Sequence, residues 1–174
     1  HTIAIAQNGT LWAWGYNSVG QIGNGTTTNQ LSPVQIGTDT NWSKIATGYN
    51  HSFAIKTDGT LWAWGNNFDG ELGNGNNVNQ LSPVQIGTSQ WLDVVGGQEF
   101  SIGIKSNGTL WTWGSNLYGQ LGDGGLPTRN YPFQIGTATD WLQVAAGQYH
   151  SYALKTTKKL WAWGRNHVGQ LGDN

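Results

Sequence analysis

Short runs of alternating polar and apolar residues return along the chain at a fixed interval. His51-Ser52-Phe53-Ala54-Ile55-Lys56 and Thr60-Leu61-Trp62-Ala63-Trp64 both alternate and are rich in strand formers. Between them lies Thr57-Asp58-Gly59, and an Asp-Gly or Asn-Gly step joining two such runs predicts a β-hairpin. Asn8-Gly9 and Asn107-Gly108 hold the same place, whereas the fourth copy reads Thr157-Lys158, which predicts a turn of another geometry. After Gly65 a long Gly/Asn-rich connection leads to a short strand near Val84-Gln85-Ile86, where Pro83 at the first residue suits a sheet edge. Trp91-Leu92-Asp93-Val94-Val95 supplies a further strand that ends at Gly96-Gly97.

These landmarks keep one phase. Leu11-Trp12-Ala13-Trp14-Gly15 returns at Leu61, Leu110 and Leu160, with offsets of 50, 49 and 50 residues. Gly20-Gln21-Ile22-Gly23 returns as Gly70-Glu71-Leu72-Gly73, Gly119-Gln120-Leu121-Gly122 and Gly169-Gln170-Leu171-Gly172. Gly87 to Trp91 is one residue shorter than Gly37 to Trp42, which accounts for the short step. The chain divides into units 1–50, 51–99, 100–149 and a partial 150–174, and no linker separates them. Four short strands per period and no helical periodicity predict an all-β fold, a β-propeller of four-stranded antiparallel blades. Both faces of the Trp-bearing strand are apolar, as a strand sandwiched between neighbouring blades requires. The indole N–H of each buried Trp needs a partner, and the repeated Asn and Gln side chains are the expected source.

Composition narrows the function classes. Of 174 residues 37% are hydrophobic, enough for a substantial core, but only 10% are charged and the net charge is −1. The scattered basic residues make no electrostatic footprint for nucleic acid or an anionic membrane. Cysteine is absent, which excludes disulfides and thiolate metal sites. His1 falls in mid-repeat, so the chain reads as an excised piece of something longer. Low charge with abundant Asn and Thr leans towards a secreted or surface protein.

The linked motifs, a Gly-x-x-His-Ser/Thr strand start, Leu-Trp-x-Trp-Gly and Gly-Gln-Leu-Gly in that order, resemble the regulator of chromosome condensation repeat across nearly all of the chain. The resemblance implies a propeller, usually of seven blades, and compact bacterial members are the nearest in character. It does not imply one activity. Nucleotide exchange in that family relies on an inserted wedge and a basic tail, and neither is seen here. The family's plant photoreceptor carries Gly-Trp-Arg-His-Thr, where this chain reads Gly48-Tyr49-Asn50-His51-Ser52, so photoreception is not expected.

His51-Ser52 and His150-Ser151 offer a base and a nucleophile by type. They recur at equivalent positions, with His1-Thr2 among them and Phe100 in the third copy, which marks them as architectural. His167 alone makes neither a triad nor a metal site. Asn67, Asp69 and Glu71 resemble part of a calcium loop, but the first unit has Asn17, Val19 and Gln21 there, so no metal or cofactor is expected. The more informative signal is variation after each Trp-Gly: Tyr16-Asn17-Ser18-Val19, Asn66-Asn67-Phe68-Asp69, Ser115-Asn116-Leu117-Tyr118 and Arg165-Asn166-His167-Val168. The Asn is constant and its neighbours are not, so the neighbours are expected to project from the blade ends as protein-contact residues. Candidates are Tyr16, Ser18, Phe68, Asp69, Leu117, Tyr118, Arg165 and His167. Tyr49, Glu99 and Tyr149 form a second variable set, expected near the other strand junction.

By the family's blade boundaries the first blade lacks its opening strand and the fourth its closing one. Two copies would supply 28 strands, the number in seven four-stranded blades, although their eight Trp-Gly hairpins fit eight blades better. The expectation is a non-enzymatic scaffold that binds a protein partner through blade-end loops and associates with a second copy. The alternatives are a carbohydrate-binding or enzymatic propeller with a central-channel site, and a purely structural self-assembling segment.

Overall fold

The computed structural model describes residues 1–173, and among them there are strands and turns but no helix. The strands form four blades. The first holds β1 (Thr2–Ile5), β2 (Leu11–Gly15) and β3 (Gln30–Gln35). The second holds β4 (Trp42–Thr47), β5 (His51–Lys56), β6 (Thr60–Gly65) and the first part of β7 (Gln80–Gly96). The rest of β7 opens the third, followed by β8 (Phe100–Lys105), β9 (Leu110–Gly114) and β10 (Arg129–Gln134). The fourth is β11 (Trp141–Ala146), β12 (His150–Lys155) and β13 (Leu160–Gly164). Every pairing is antiparallel, and the blades carry three, four, four and three strands.

The continuity of β7 departs from the sequence reading, which separates its two halves. Elsewhere a bend between Gly37 and Asn41, or Gly136 and Asp140, carries the chain from the rim of one blade to the inner edge of the next. The connection after Gly87 is one residue shorter and stays extended, with Gln90 paired to Thr60.

The hairpins build themselves from their turn residues. Asp58 Oδ1 accepts from the backbone N–H of Thr60 at 3.0 Å and from its hydroxyl at 2.7 Å, and Thr60 Oγ1 accepts from Trp62 Nε1 at 3.1 Å. Asn8–Thr10–Trp12 and Asn107–Thr109–Trp111 repeat this relay. The fourth turn corrects the expectation of another geometry. Lys158 adopts φ +65°, close to the +79°, +82° and +78° of Gly9, Gly59 and Gly108. Its N–H bonds Lys155 O at 2.9 Å just as Gly59 N–H bonds Lys56 O at 2.9 Å. Hairpin register sets the dihedral, and a lysine accepts the strain.

Each blade boundary has its own core. Leu11, Ala13, Ile22 and Ile36 meet Trp42, Ala54 and Trp64 of the second blade. Leu61, Ala63 and Leu72 meet Trp91, Val94 and Trp113 of the third, and Ile102, Ile104 and Leu110 meet Trp141 and Val144 of the fourth. In the second, third and fourth blades the second Trp of the pair donates its indole N–H to a backbone carbonyl of the preceding blade. Trp64 bonds Gln21 O at 3.0 Å, Trp113 bonds Glu71 O at 2.8 Å and Trp163 bonds Gln120 O at 2.9 Å. The partner is main chain rather than the Asn and Gln side chains the sequence leads one to expect. Side-chain amides are committed elsewhere, because they close the loops.

Candidate protein interface at the blade-end face

The loop after each Trp-Gly is organised by one asparagine, buried in the first three copies and exposed in the fourth. Asn17 Nδ2 donates to Thr26 O at 2.9 Å and Thr28 O at 3.0 Å, while its Oδ1 accepts from Ile22 N–H at 2.9 Å. Asn67 and Asn116 are likewise buried and make the equivalent bonds. The Gln of Gly-Gln-x-Gly adds a second clasp: Gln21, Gln120 and Gln170 Oε1 accept from the N–H two residues earlier, at 3.0, 2.8 and 3.0 Å. A loop held at both points presents the residues between them on a rigid base.

Those residues face solvent as the sequence leads one to expect. Tyr16, Ser18, Phe68, Leu117, Tyr118 and His167 are exposed, while Asp69 and Arg165 are half-buried. The second variable set is placed differently from expectation. Because His51 pairs with Gly65 in the register of β5 and β6, the turn before β5 and the loop after β6 lie at the same sheet edge. Asn66, Ser115 and Arg165 N–H bond the carbonyls of Asn50, Glu99 and Tyr149 at 2.9, 2.8 and 2.9 Å. Glu99 and Tyr149, with Asn50 as their counterpart in the second blade, therefore sit beside the first set, while Tyr49, one residue earlier in the same turn, lies towards the axis, where its N–H bonds Gly97 O.

That placement brings four candidates together across the third and fourth blades. The Tyr118 and Tyr149 rings pack with centroids 5.0 Å apart, and the Arg165 guanidinium stands 4.9 Å from the first and 5.3 Å from the second. Arg165 Nη2 lies 3.1 Å from His167 Nε2. Tyr16 and Ser18 on the first blade and Phe68 and Asp69 on the second lie on this face but outside the cluster, and Tyr49 lies outside it towards the axis.

The acidic alternation of the second blade is tied into its own loop. Asn67 closes its loop, and Glu71 is buried, accepting from Asp69 N–H at 2.9 Å and from the Asn66 amide. Burial, the largest effect, pushes the Glu71 carboxyl up to about 7, against the bonds from Asp69 and Asn66 that favour its ionised form. Burial likewise raises Asp69. The sequence reading passed over Glu71 as a titrating group, although Gln at the other three copies marked it as the exception.

Near the axis the chain is tightly packed backbone. Tyr49 N–H bonds Gly97 O at 3.0 Å and Gln98 N–H bonds Gln148 O at 3.1 Å. A cavity of about 380 Å³ there is lined by Gly48, Tyr49, Gly97, Gln98, Gly147 and Gln148 with Gly96 and Ala146, and so by neither carboxylate nor imidazole.

The model of the regulator of chromosome condensation (RCC1) repeat matches residues 8–55, 58–104 and 107–154, and a second model of the same repeat matches 42–71, 91–120 and 141–170. The chain belongs to the RCC1 repeat family. Among solved structures, human WBSCR16 superposes with a TM-score of 0.86 at 23% identity, covering 98% of this chain and 46% of that one. Prp20p from Saccharomyces cerevisiae gives 0.82 at 24% identity, covering 97% and 42%. The Arabidopsis thaliana ultraviolet-B receptor UVR8 is 37% identical over 54 residues, which is 30% of this chain and 12% of the receptor. The chain thus spans less than half the length of these RCC1 propellers. At such identities the structural likeness establishes the β-propeller fold.

Proposed function

We propose that the blade-end face of this RCC1-repeat segment binds a protein partner, with Tyr118, Tyr149 and Arg165 at the centre of the contact. The observation that carries this reading is the cross-blade stack of two tyrosines under one guanidinium, with the Tyr118 loop held in place by buried Asn116 and Gln120. Tyr and Arg are enriched at binding hot spots because they give large contact area at little entropic cost when pre-positioned. The solved relative Prp20 supports a scaffold role by analogy, since its structures are described with Kap60 bound and with binding to Gsp1p and histones. A low charge and an Asn/Thr-rich surface fit an extracellular setting.

A non-enzymatic role is supported by where the histidine and serine protons go. Ser52, Ser101 and Ser151 hydroxyls donate to the carbonyls of Gln21, Glu71 and Gln120, each at 2.8 Å, so they lock blades together rather than wait for a substrate. The channel-centred alternative needs acidic or imidazole groups that the axial cavity does not contain.

The test is affinity capture from the native source with the unaltered chain and with a Phe68→Ala, Tyr118→Ala, His167→Ala variant of unchanged circular dichroism. Loss of a partner that the unaltered chain captures supports the loop assignment, and its retention by the variant refutes it.

A specific observation favours association with a second copy as well. Leu160 is 65% and Trp161 53% exposed, whereas the equivalent Leu11, Leu61 and Leu110 are fully buried against the next blade. An apolar flank of this kind is covered when another blade stacks on it.

A further inference from the structure

Three hairpins set a lysine against tryptophan, and they differ in one partner. Lys56 Nζ stands 4.2 Å from the Trp62 ring centre and 4.9 Å from that of Trp42, and it pairs with Asp39 at 2.8 Å. Lys155 Nζ stands 4.8 Å from Trp141 and pairs with Asp140 at 2.8 Å. Lys105, at the equivalent end of β8, lies 3.4 Å from the Trp111 ring centre and 5.3 Å from Trp91, and among the described residues no carboxylate pairs with it.

The difference has a cause in the chain. The connections before Trp42 and Trp141 carry Asp39 and Asp140, while the shortened connection before Trp91 carries Ser89-Gln90. Where an acid is present the ammonium is held off the ring between anion and indole. Where it is missing, the ammonium sits closer to the ring face, whose negative potential attracts it. Burial also lowers the Lys105 pKa, the expected sign for a half-buried cation lacking a counter-charge.

Lys105 remains reachable. With Trp91, Trp111, Gln85, Ser89 and Tyr131 it lines a cavity of about 350 Å³, and a neighbouring opening of about 310 Å³ brings Gln90 and Asn107 to the same lysine. The ring faces exclude water from one side of the ammonium, which strengthens a pair formed there, and a flat or apolar group next to the acid would rest on Trp111 or Tyr131.

We propose that Lys105 with Trp91 and Trp111 binds a carboxylate of a ligand, which takes the place that Asp39 and Asp140 hold beside the other two lysines. The carboxylate belongs to a small organic acid or to an acidic side chain of a peptide, and the two sources are separable by titration. Lysine side-chain NMR signals of the 174-residue chain are followed against succinate, against a capped glutamate-containing pentapeptide and against its glutamine counterpart. The expected result is a saturable shift of Lys105 alone, with Lys56 and Lys155 unmoved. Saturation by succinate identifies a small-acid site, and saturation by the glutamate peptide alone identifies an acidic segment. Gln90→Asp, which installs the acid of the fourth blade at an exposed position, should weaken binding about tenfold or more, the worth of one charge-assisted contact, and Lys105→Gln should weaken it as far when the titration is followed by tryptophan fluorescence. The proposal is overturned if neither acid gives a saturable shift, if chloride at equal concentration or the glutamine peptide moves Lys105 as far, or if Gln90→Asp binds as tightly as the native chain.

Discussion

His51 Nε2 lies 3.2 Å from Ser101 Oγ across the boundary between the second and third blades, and that hydroxyl donates to Glu71 O at 2.8 Å. The hydroxyl's one proton is therefore spent, so Nε2 is the donor and Nδ1 the bare nitrogen. Nδ1 is buried with no partner, and burial holds the imidazole down at about 3. Glu71, at the same junction, is displaced the other way.

Opposed titrations predict a flat stretch in the stability profile. Between about 3 and the ordinary 6.5, the unfolded chain binds the extra His51 proton, so stability rises with pH. Between 4.5 and about 7 the folded chain binds the extra Glu71 proton, so stability falls as pH rises. The two slopes cancel from 4.5 to 6.5, and below 4.5 the His51 loss stands alone. Glu71→Gln, the residue of the other three copies, removes one slope. Its stability should climb by about 1.4 kcal/mol per pH unit towards the ordinary histidine value, as urea midpoints across a pH series would show. A variant profile as flat as the native one would falsify the pairing.

Gly73 and Gly87 both have positive φ, at +77° and +58°, yet a side chain would meet different surroundings at each. A Cβ on Gly73 would come within 2.8 Å of the Trp113 Nε1, whereas one on Gly87 meets nothing within 4 Å. Both alanine variants carry the left-handed strain, about 1 kcal/mol, but only Gly73→Ala must also push an indole out of a blade junction. Gly73→Ala is expected to cost about 1–3 kcal/mol more than Gly87→Ala in denaturant unfolding. Equal costs would mean that the junction yields freely around Trp113.

Lys158 is the single non-glycine residue with positive φ among the described residues. Lys158→Gly relieves left-handed strain of about 1–2 kcal/mol and returns about 0.4–1 kcal/mol of chain entropy to the unfolded state. A net gain of about 0.5–1 kcal/mol should appear as a higher urea midpoint at constant m-value. A lower midpoint would show that Lys158 makes contacts outweighing its strain.

The architecture was legible because strand period, turn chemistry and repeat phase all report on local structure. The alternation marks the His51–Lys56 strand to the residue, and the constancy of the Asn in each Trp-Gly loop marks a framework position, which the structure shows to be a clasp on the backbone. What the sequence hid depends on register. The turn at Tyr149 and the loop at Tyr118 looked like opposite ends of a blade until the pairing of β5 with β6, repeated in β12 with β13, folded them to one edge. The Lys158 turn is not legible from its composition, because the hairpin register and not the residue type dictates its dihedral. The Arg165 stack joins two blades, and no pattern inside one repeat encodes it.

The open flank of the fourth blade sets the last prediction. In the second blade, Leu61 packs against Trp91, Val94 and Trp113 of its neighbour, and Leu160 presents the same strand position, 65% exposed among the described residues. Trp14 heads the other end of the chain, in the position from which Trp64, Trp113 and Trp163 each donate to the preceding blade. In the proposed association with a second copy, the Trp14 end of one copy would meet the Leu160 flank of another, a head-to-tail contact that closes a ring or propagates according to its rotation. Leu160→Asp places a charge on this flank at an exposed residue, so the hairpin itself should fold. The 174-residue chain should sediment as an assembly at micromolar concentration and the variant as a monomer, with similar circular dichroism. A folded, soluble monomer from the unaltered chain would remove second-copy association from consideration while leaving the blade-end interface untouched.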